Sequence, residues 1–463
     1  MKKFSNFIIC LLLCVFAFGV FGCKPNDKGN GFSPKSDDIV VGNGGMVVKK
    51  GEYVYFANGF QSVSSLTDDQ RDAQFVKGGL YVAKLDETGN FVRDDDGYMT
   101  DDYMRVVSDK LAGFDATDLY IFGDYLYFVS PSTENESGKI GKTEWAKDRA
   151  VFYRVKLNNF DNVEKLYQSN VKHENLSYQY YNKDGKTYLL VHEKGADLND
   201  GNNSDMLYRI DVQAKKNKVQ TVASNVSSFV FGYDSQDNAY DRIYFVENKD
   251  SKYSLYRYDV SSNQKTETGI KDSSTEVVAK FVSDRFVFIS KKDGDDTFMY
   301  RASIGGSFVK MFDCTSDVAG SIYLLPEGEN LISVKDNVIQ FYLNGDSLVS
   351  LNKITDDSDV TAINVIGFAN GSIVYYDNSN KLKTVSYSDF IAGRQPKITT
   401  IATIEFNKDY LDINGGNLYY CTGDNSGYLF KVCLTNNIDA EGNTESEMVG
   451  RYLDEDKPSE DEE

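Results

Sequence analysis

Any chemistry in this chain has to be built from two histidines, one tryptophan and several aspartate-rich tracts. His173 and His192 are the only imidazoles among 463 residues. A serine-protease-like device needs an activating base, and no G-x-S-x-G elbow is present to carry a nucleophile. His192 closes an apolar run and reads as a loop residue. Histidine-based zinc catalysis takes two or three ligands at fixed spacing, as in H-E-x-x-H, which this chain does not match. The GKT at 141–143 lacks the glycine five residues upstream that a phosphate loop requires, since position 136 is Glu. The tracts DDDGY at 94–98 and DLNDGNNSD at 197–205 offer hard oxygen ligands, so Asp94, Asp96, Asp197 and Asp200 are the calcium candidates. Neither tract has EF-hand spacing, and Asp, Asn and Gly serve hairpin turns equally well. No catalytic residue, metal or cofactor is assigned on this basis. Paired carboxylates for glycoside cleavage stay open in so acidic a chain, with none singled out.

The elements that would position these residues repeat. DYLYFVS at 124–130 recurs as EYVYFAN at 52–58, KTYLLVH at 186–192, DRIYFVE at 241–247 and DRFVFIS at 284–290. ENLISVK at 329–335, GSIVYYD at 371–377 and GNLYYCT at 416–422 complete eight copies. Each is a polar or glycine entry followed by four or five apolar, mostly aromatic or β-branched residues. That is the pattern of a strand covered on both faces, and it is too short for a helix. A second strand follows each copy: GLYVAKL, VFYRVKL, MLYRIDV, SLYRYDV and FMYRASI in the first five units, then weaker versions. Its tyrosines (81, 153, 208, 256, 300) form a packing column. Its arginines (154, 209, 257, 301) are expected to lay their stems over a neighbour and keep the head group wet. With flanking strands such as TDLYIFG and VEKLYQS, each unit is four antiparallel strands over 40 to 72 residues, the signature of a β-propeller.

The fold class is therefore all-β, a propeller of eight four-stranded blades, with seven blades plus an irregular unit as the alternative. The expected organisation is a signal peptide over 1–22, a tether over 23–38, the propeller over 39–453 and an acidic tail over 454–463. DIVVG at 38–42 is placed as a strand that completes the last blade and latches the ring. Cys421 and Cys433 read as free thiols on one hairpin, with Cys433 expected to point away, and a bridge between them as the alternative.

Met1 to Gly22 carries two lysines, an apolar run and small residues, which is an export signal. Its apolar part is short for a membrane span. Cys23 follows directly in VFGC, a sequence that resembles the lipobox of bacterial lipoproteins. That resemblance implies lipid attachment at Cys23 and an extracytoplasmic location at the cell membrane, held by the lipid alone. Lys24 to Asp38 is polar and Gly/Pro/Ser-rich, as a tether should be. The formal charge is −20, or −22 once Lys2 and Lys3 leave with the leader; the last ten residues hold −6 of it. This argues against nucleic acid, whose phosphates are bound by Lys and Arg.

The YF/YY strands followed by LYRID-like strands resemble Tyr-rich propeller-repeat lipoproteins of Gram-positive bacteria, and more loosely YWTD-type propellers. The resemblance spans about residues 46–453 and implies a surface-anchored module without an assigned ligand. YFAN, YFVS and YFVE stand where the YWTD tetrapeptide would be. A single Trp145 disfavours the quinone-dependent propellers, which dock blades through repeated Trp motifs.

One asymmetry bears on function. The connection between the two signature strands is long in the first three units, over about 58–78, 130–150 and 193–205. In a propeller these inserts emerge on one rim. Phe60, Phe75, Lys142, Trp145, Lys147 and His192 are the candidate contact residues there. The expected function is binding of an envelope protein, peptide or glycan. The alternative is a carbohydrate-active hydrolase or lyase using carboxylates near the channel.

Overall fold

The computed structural model describes residues 32–59, 78–95, 99, 102–111, 118–132, 147–183, 185–197, 203–215, 218–233, 239–303, 305–315, 321–335, 338–343, 347–350, 362–392, 394, 396–422, 427–434 and 446–451. They form a β-propeller of eight antiparallel sheets in a ring. The blades cover residues 40–111, 120–172, 176–224, 226–267, 277–313, 322–350, 363–403 and 406–449. Within each, strand order follows chain order. At three seams the inner strands of neighbouring blades touch: Val47–Lys50 with Tyr120–Phe122, Val226–Tyr233 with Val277–Val282, and Ile363–Ala369 with Phe406–Asn414. They form the inner ring, and each later strand lies further out.

The chain builds this because aromatic side chains pair across strands. Phe56 faces Tyr81, Phe128 faces Tyr153, Phe245 faces Tyr256 and Tyr420 faces Phe430. All four pairs stack, with ring centroids 5.4 to 6.4 Å apart. Such pairs fix register as well as adding stability. The arginines of the third strands sit diagonally: Arg154 lies 4.4 Å over Tyr125, Arg209 4.3 Å over Tyr188 and Arg301 4.4 Å over Phe286. Arg209 is less wet than expected: its Nε donates to the Val260 carbonyl of the next blade at 2.6 Å. These arginines therefore hold hairpins and seams together.

Aspartates build the turns. Asp86, Asp211, Asp259, Asp313 and Asp377 each accept the backbone N–H two residues on, at 2.8 to 3.0 Å. A short helix, Tyr387–Ile391, interrupts blade 7, with Ser386 accepting the Asp389 N–H at its start.

Antiparallel order gives the disc two faces. Links between second and third strands, and between blades, lie on one, here called the insert face. Links between first and second, and third and fourth, lie on the other. The third insert differs from a long loop. Most of it prolongs the hairpin of Lys186–Asp197 with Asn203–Asp211, pairing Ala196 with Ser204 and Asp197 with Asn203. Gly195 takes a left-handed conformation (φ 65°) where the register shifts.

DIVVG does not complete blade 8. Val40–Val41 pairs with Val47–Lys50 as a fifth, innermost strand of blade 1. The tight turn at Gly42 (φ 88°) to Gly45 folds it back onto the strand that follows it in sequence, and blade 8 already has four strands of its own.

Candidate functional site

The chain itself crosses every seam of the ring except that between blades 8 and 1. With no shared strand, side chains close it. Asp412 accepts the Met46 N–H at 2.9 Å and Asn414 donates to the Val47 carbonyl at 2.6 Å. On the insert face, buried Asn58 both donates to the Arg451 carbonyl and accepts its N–H, each at 3.1 Å. Arg93 pairs with Glu447 at 3.1 Å.

These clamps leave a cavity of about 630 Å³ between the two blades, on the face opposite the inserts. Alternation in Val47–Lys50 turns Val47 and Lys49 into it and Val48 and Lys50 away. Val47, Val54, Leu85 and Phe91 make an apolar floor, and Asn414, Asn417, Tyr419 and Lys431 make the blade 8 wall. The third wall is the N-terminal strap, Asp37 to Val41, which exposes 79 % of Ile39 at the opening. A volume of this size matches small-molecule sites, which run about 300–1,000 Å³.

The charges around the cavity are unequal in availability. Lys431 is engaged, bonded to Glu447 at 2.8 Å and lying 4.9 Å over the Phe91 ring. Asp38 accepts the Lys35 N–H at 2.8 Å. Lys50, on the far side of its strand, donates to the Gly123 carbonyl at 2.8 Å, and burial lowers its pKa. Burial also raises the Tyr419 hydroxyl well out of the physiological range, so it stays a neutral hydrogen-bonding group. The side chain of half-buried Lys49 makes no hydrogen bond or ion pair among the described residues.

Sequence reasoning missed this site. Asp37 and Asp38 fell within the expected tether, and Lys49 lies in an ordinary strand, VVKK. The only available signal was Val40-Val41 followed by Gly42, an apolar pair with a turn.

The residues expected at the contact rim behave differently. His192 is not a loop residue. It lies inside the second strand of blade 3, 2 % exposed, with its ring edge-on to Phe229 at 5.7 Å. Its Nε2–H donates to the Val226 carbonyl at 2.6 Å, which leaves Nδ1 to accept from Ser177 Oγ at 3.3 Å. Burial lowers its pKa, so it is neutral at pH 7. The reason for the difference is that the strand runs on five residues past it, to Asp197. Lys147 begins the third strand of blade 2, on the insert face. Phe60, Phe75, Lys142 and Trp145 lie outside the described residues, as do Asp96, Asp200 and Cys23.

Asp94 and Asp197 are not brought together: Asp94 is in the link between the third and fourth strands of blade 1, Asp197 at the insert-face end of blade 3. Among the described residues no three His, Cys, Asp or Glu side chains are grouped to hold a metal.

One acid does stand out. Asp118, at the insert-face entry to the first strand of blade 2, is bonded to Tyr178 of blade 3, and burial pushes its pKa up to about 6. Cys314, Cys421 and Cys433 are free thiols. Cys421 faces Leu429, so Cys433 lies four residues along the same face, roughly 13 Å away and far beyond disulfide reach. Distance, not direction, separates the two.

No protein-family model and no curated protein sequence matches the chain. Solved structures similar to it include the Dos1 propeller, at 13 % identity over 88 % of this chain and 94 % of that one, TM-score 0.45. Virginiamycin B lyase from Staphylococcus aureus is similar at 12 % identity over 66 % and 90 %, TM-score 0.36. Oligopeptidase B from Leishmania major is similar at 9 % identity over 89 % and 55 %, TM-score 0.46, so this chain spans about half of that one.

Proposed function

We propose that the chain is a lipid-anchored, extracytoplasmic binding module whose partner, an envelope protein, peptide or glycan, docks on the insert face. The observation that carries this reading is the path of the N-terminal segment. Phe32 packs edge-on to Tyr53 at 6.0 Å, and Gly51 in the first turn of blade 1 donates to the Ile39 carbonyl at 3.4 Å. Both contacts lie on the face opposite the inserts. From Cys23 to Phe32 the chain reaches about 30 Å fully extended. A lipid on Cys23 therefore draws that opposite face toward the membrane and presents the insert face outward. Removing residues 133–146 should abolish crosslinked partner capture on intact envelopes while the circular dichroism spectrum is retained. Undiminished capture by the shortened protein counts against the reading.

A second reading, a hydrolase or lyase acting on carbohydrate, is favoured by Asp118 alone. A carboxyl with a raised pKa is protonated often enough near neutral pH to serve as a general acid. Turnover on a polysaccharide panel, lost in Asp118→Asn and falling above about pH 6 as the acid ionises, is the expected result under it. No turnover on any polysaccharide removes this reading and leaves the first intact.

A further inference from the structure

From the chemistry of the seam cavity we infer that it holds an apolar amino acid or short peptide with free termini. Three features combine. The floor of Val47, Val54, Leu85 and Phe91 offers an apolar surface with one aromatic ring, suited to an aliphatic or aromatic side chain. The Lys49 ammonium has no partner among the described residues, and on the blade 8 wall Asn414 and Asn417 each give one amide N–H to a backbone carbonyl, of Val47 and Gly415, and keep a second N–H. Together these fit a carboxylate, which accepts charge-assisted hydrogen bonds from Lys and neutral ones from Asn. Across the opening the strap places Asp37 and Asp38, whose field suits a protonated amine. A simple anion is opposed by the two aspartates and a simple cation by Lys49, since Lys431 is paired with Glu447. An apolar body with opposite charges at its ends is accepted by all the walls at once.

The strap gives this arrangement its specificity. Val40 and Val41 hold it by only two register positions, opposite Lys50 and Lys49. The acidic wall and the free lysine thus belong to one small paired unit, so ligand ends and strap are read together.

The test uses residues 24–463, which omit the expected leader and Cys23, and the dipeptide Leu-Phe, with its N-acetyl and C-amide forms, in isothermal titration calorimetry. The free dipeptide should bind, and capping either end should weaken it about tenfold, the loss expected for one charge-assisted contact. Lys49→Gln should weaken the free and N-acetyl forms alike by about tenfold while leaving the C-amide form unchanged. Asp37→Asn, at an exposed position, should reduce the discrimination between free and acetylated amine without affecting the fold. No binding of the free dipeptide, equal binding of all three forms, or saturable binding of a neutral oligosaccharide instead would each overturn the inference.

Discussion

Replacing Lys383 by Met should destabilise the protein by about 3–5 kcal/mol, the usual loss when one partner of a buried ion pair is removed. Lys383 Nζ lies 2.6 Å from Asp377 Oδ2, with side chains 8 % and 1 % exposed. Asp377 ends the second strand of blade 7 and its other oxygen accepts the N–H groups of Ser379 and Lys381, at 2.9 and 3.1 Å. One carboxylate thus builds the tight hairpin and neutralises the lysine. Met fills a similar volume, so the loss reports the stranded charge and not a cavity.

The pH dependence has a definite sign. Although burial works against it, the Lys383 hydrogen bond and the two backbone N–H groups hold the Asp377 pKa below the ordinary carboxylate value. A depressed folded-state pKa contributes stability above the unfolded value of about 3.9 and loses it as pH falls through the folded value. The gap between wild type and Lys383→Met in urea midpoint should therefore be full at pH 6 and close on acidification below about pH 4. A gap that is small at pH 6, or constant to pH 2, would show that the pair is not a coupled charged unit.

Asn58→Ala should cost about 2–3 kcal/mol, and the damage should be local to the seam. Asn58 is fully buried and satisfies both the N–H and the carbonyl of Arg451, two residues after the last strand. Ala removes both of these bonds at a seam that no shared strand spans. Gly450, at φ 106°, is packed so closely that a Cβ would strike Asn58 Oδ1, so the clamp and the turn fit each other. Hydrogen exchange should accelerate at Ser446–Val449 and Arg451 well before the middle blades respond. Asn58→Asp, which sets a buried carboxylate oxygen against the Arg451 carbonyl, should cost at least as much as Ala. Uniform acceleration around the ring would falsify the idea that this seam is the closure point.

Much of the architecture was readable in the residues. Runs such as DYLYFVS are too apolar for a strand open to water and too short for a helix, so burial on both faces followed directly. Their eightfold recurrence set the blade count, because each hairpin alone leaves a sheet face that only a neighbouring blade can cover. Which rim the inserts share also followed, since antiparallel order fixes the end at which each link emerges. What failed was local. His192 looked terminal because its apolar run stops there, yet Glu193 and Lys194 keep the strand going. Glu193 is fully buried, accepting from Tyr167 at 2.8 Å and from the backbone and side chain of Asn170. Polar residues satisfied by partners from another blade leave no trace in hydropathy.

The order of apolar and polar residues along the chain determined the repeating sheets, their number and their faces, because these rest on contacts between residues near in sequence. Tertiary structure alone decided how the ring closes. That closure joins residues more than 360 positions apart, Met46 with Asp412 and Val47 with Asn414, and no local pattern encodes a pairing at that range.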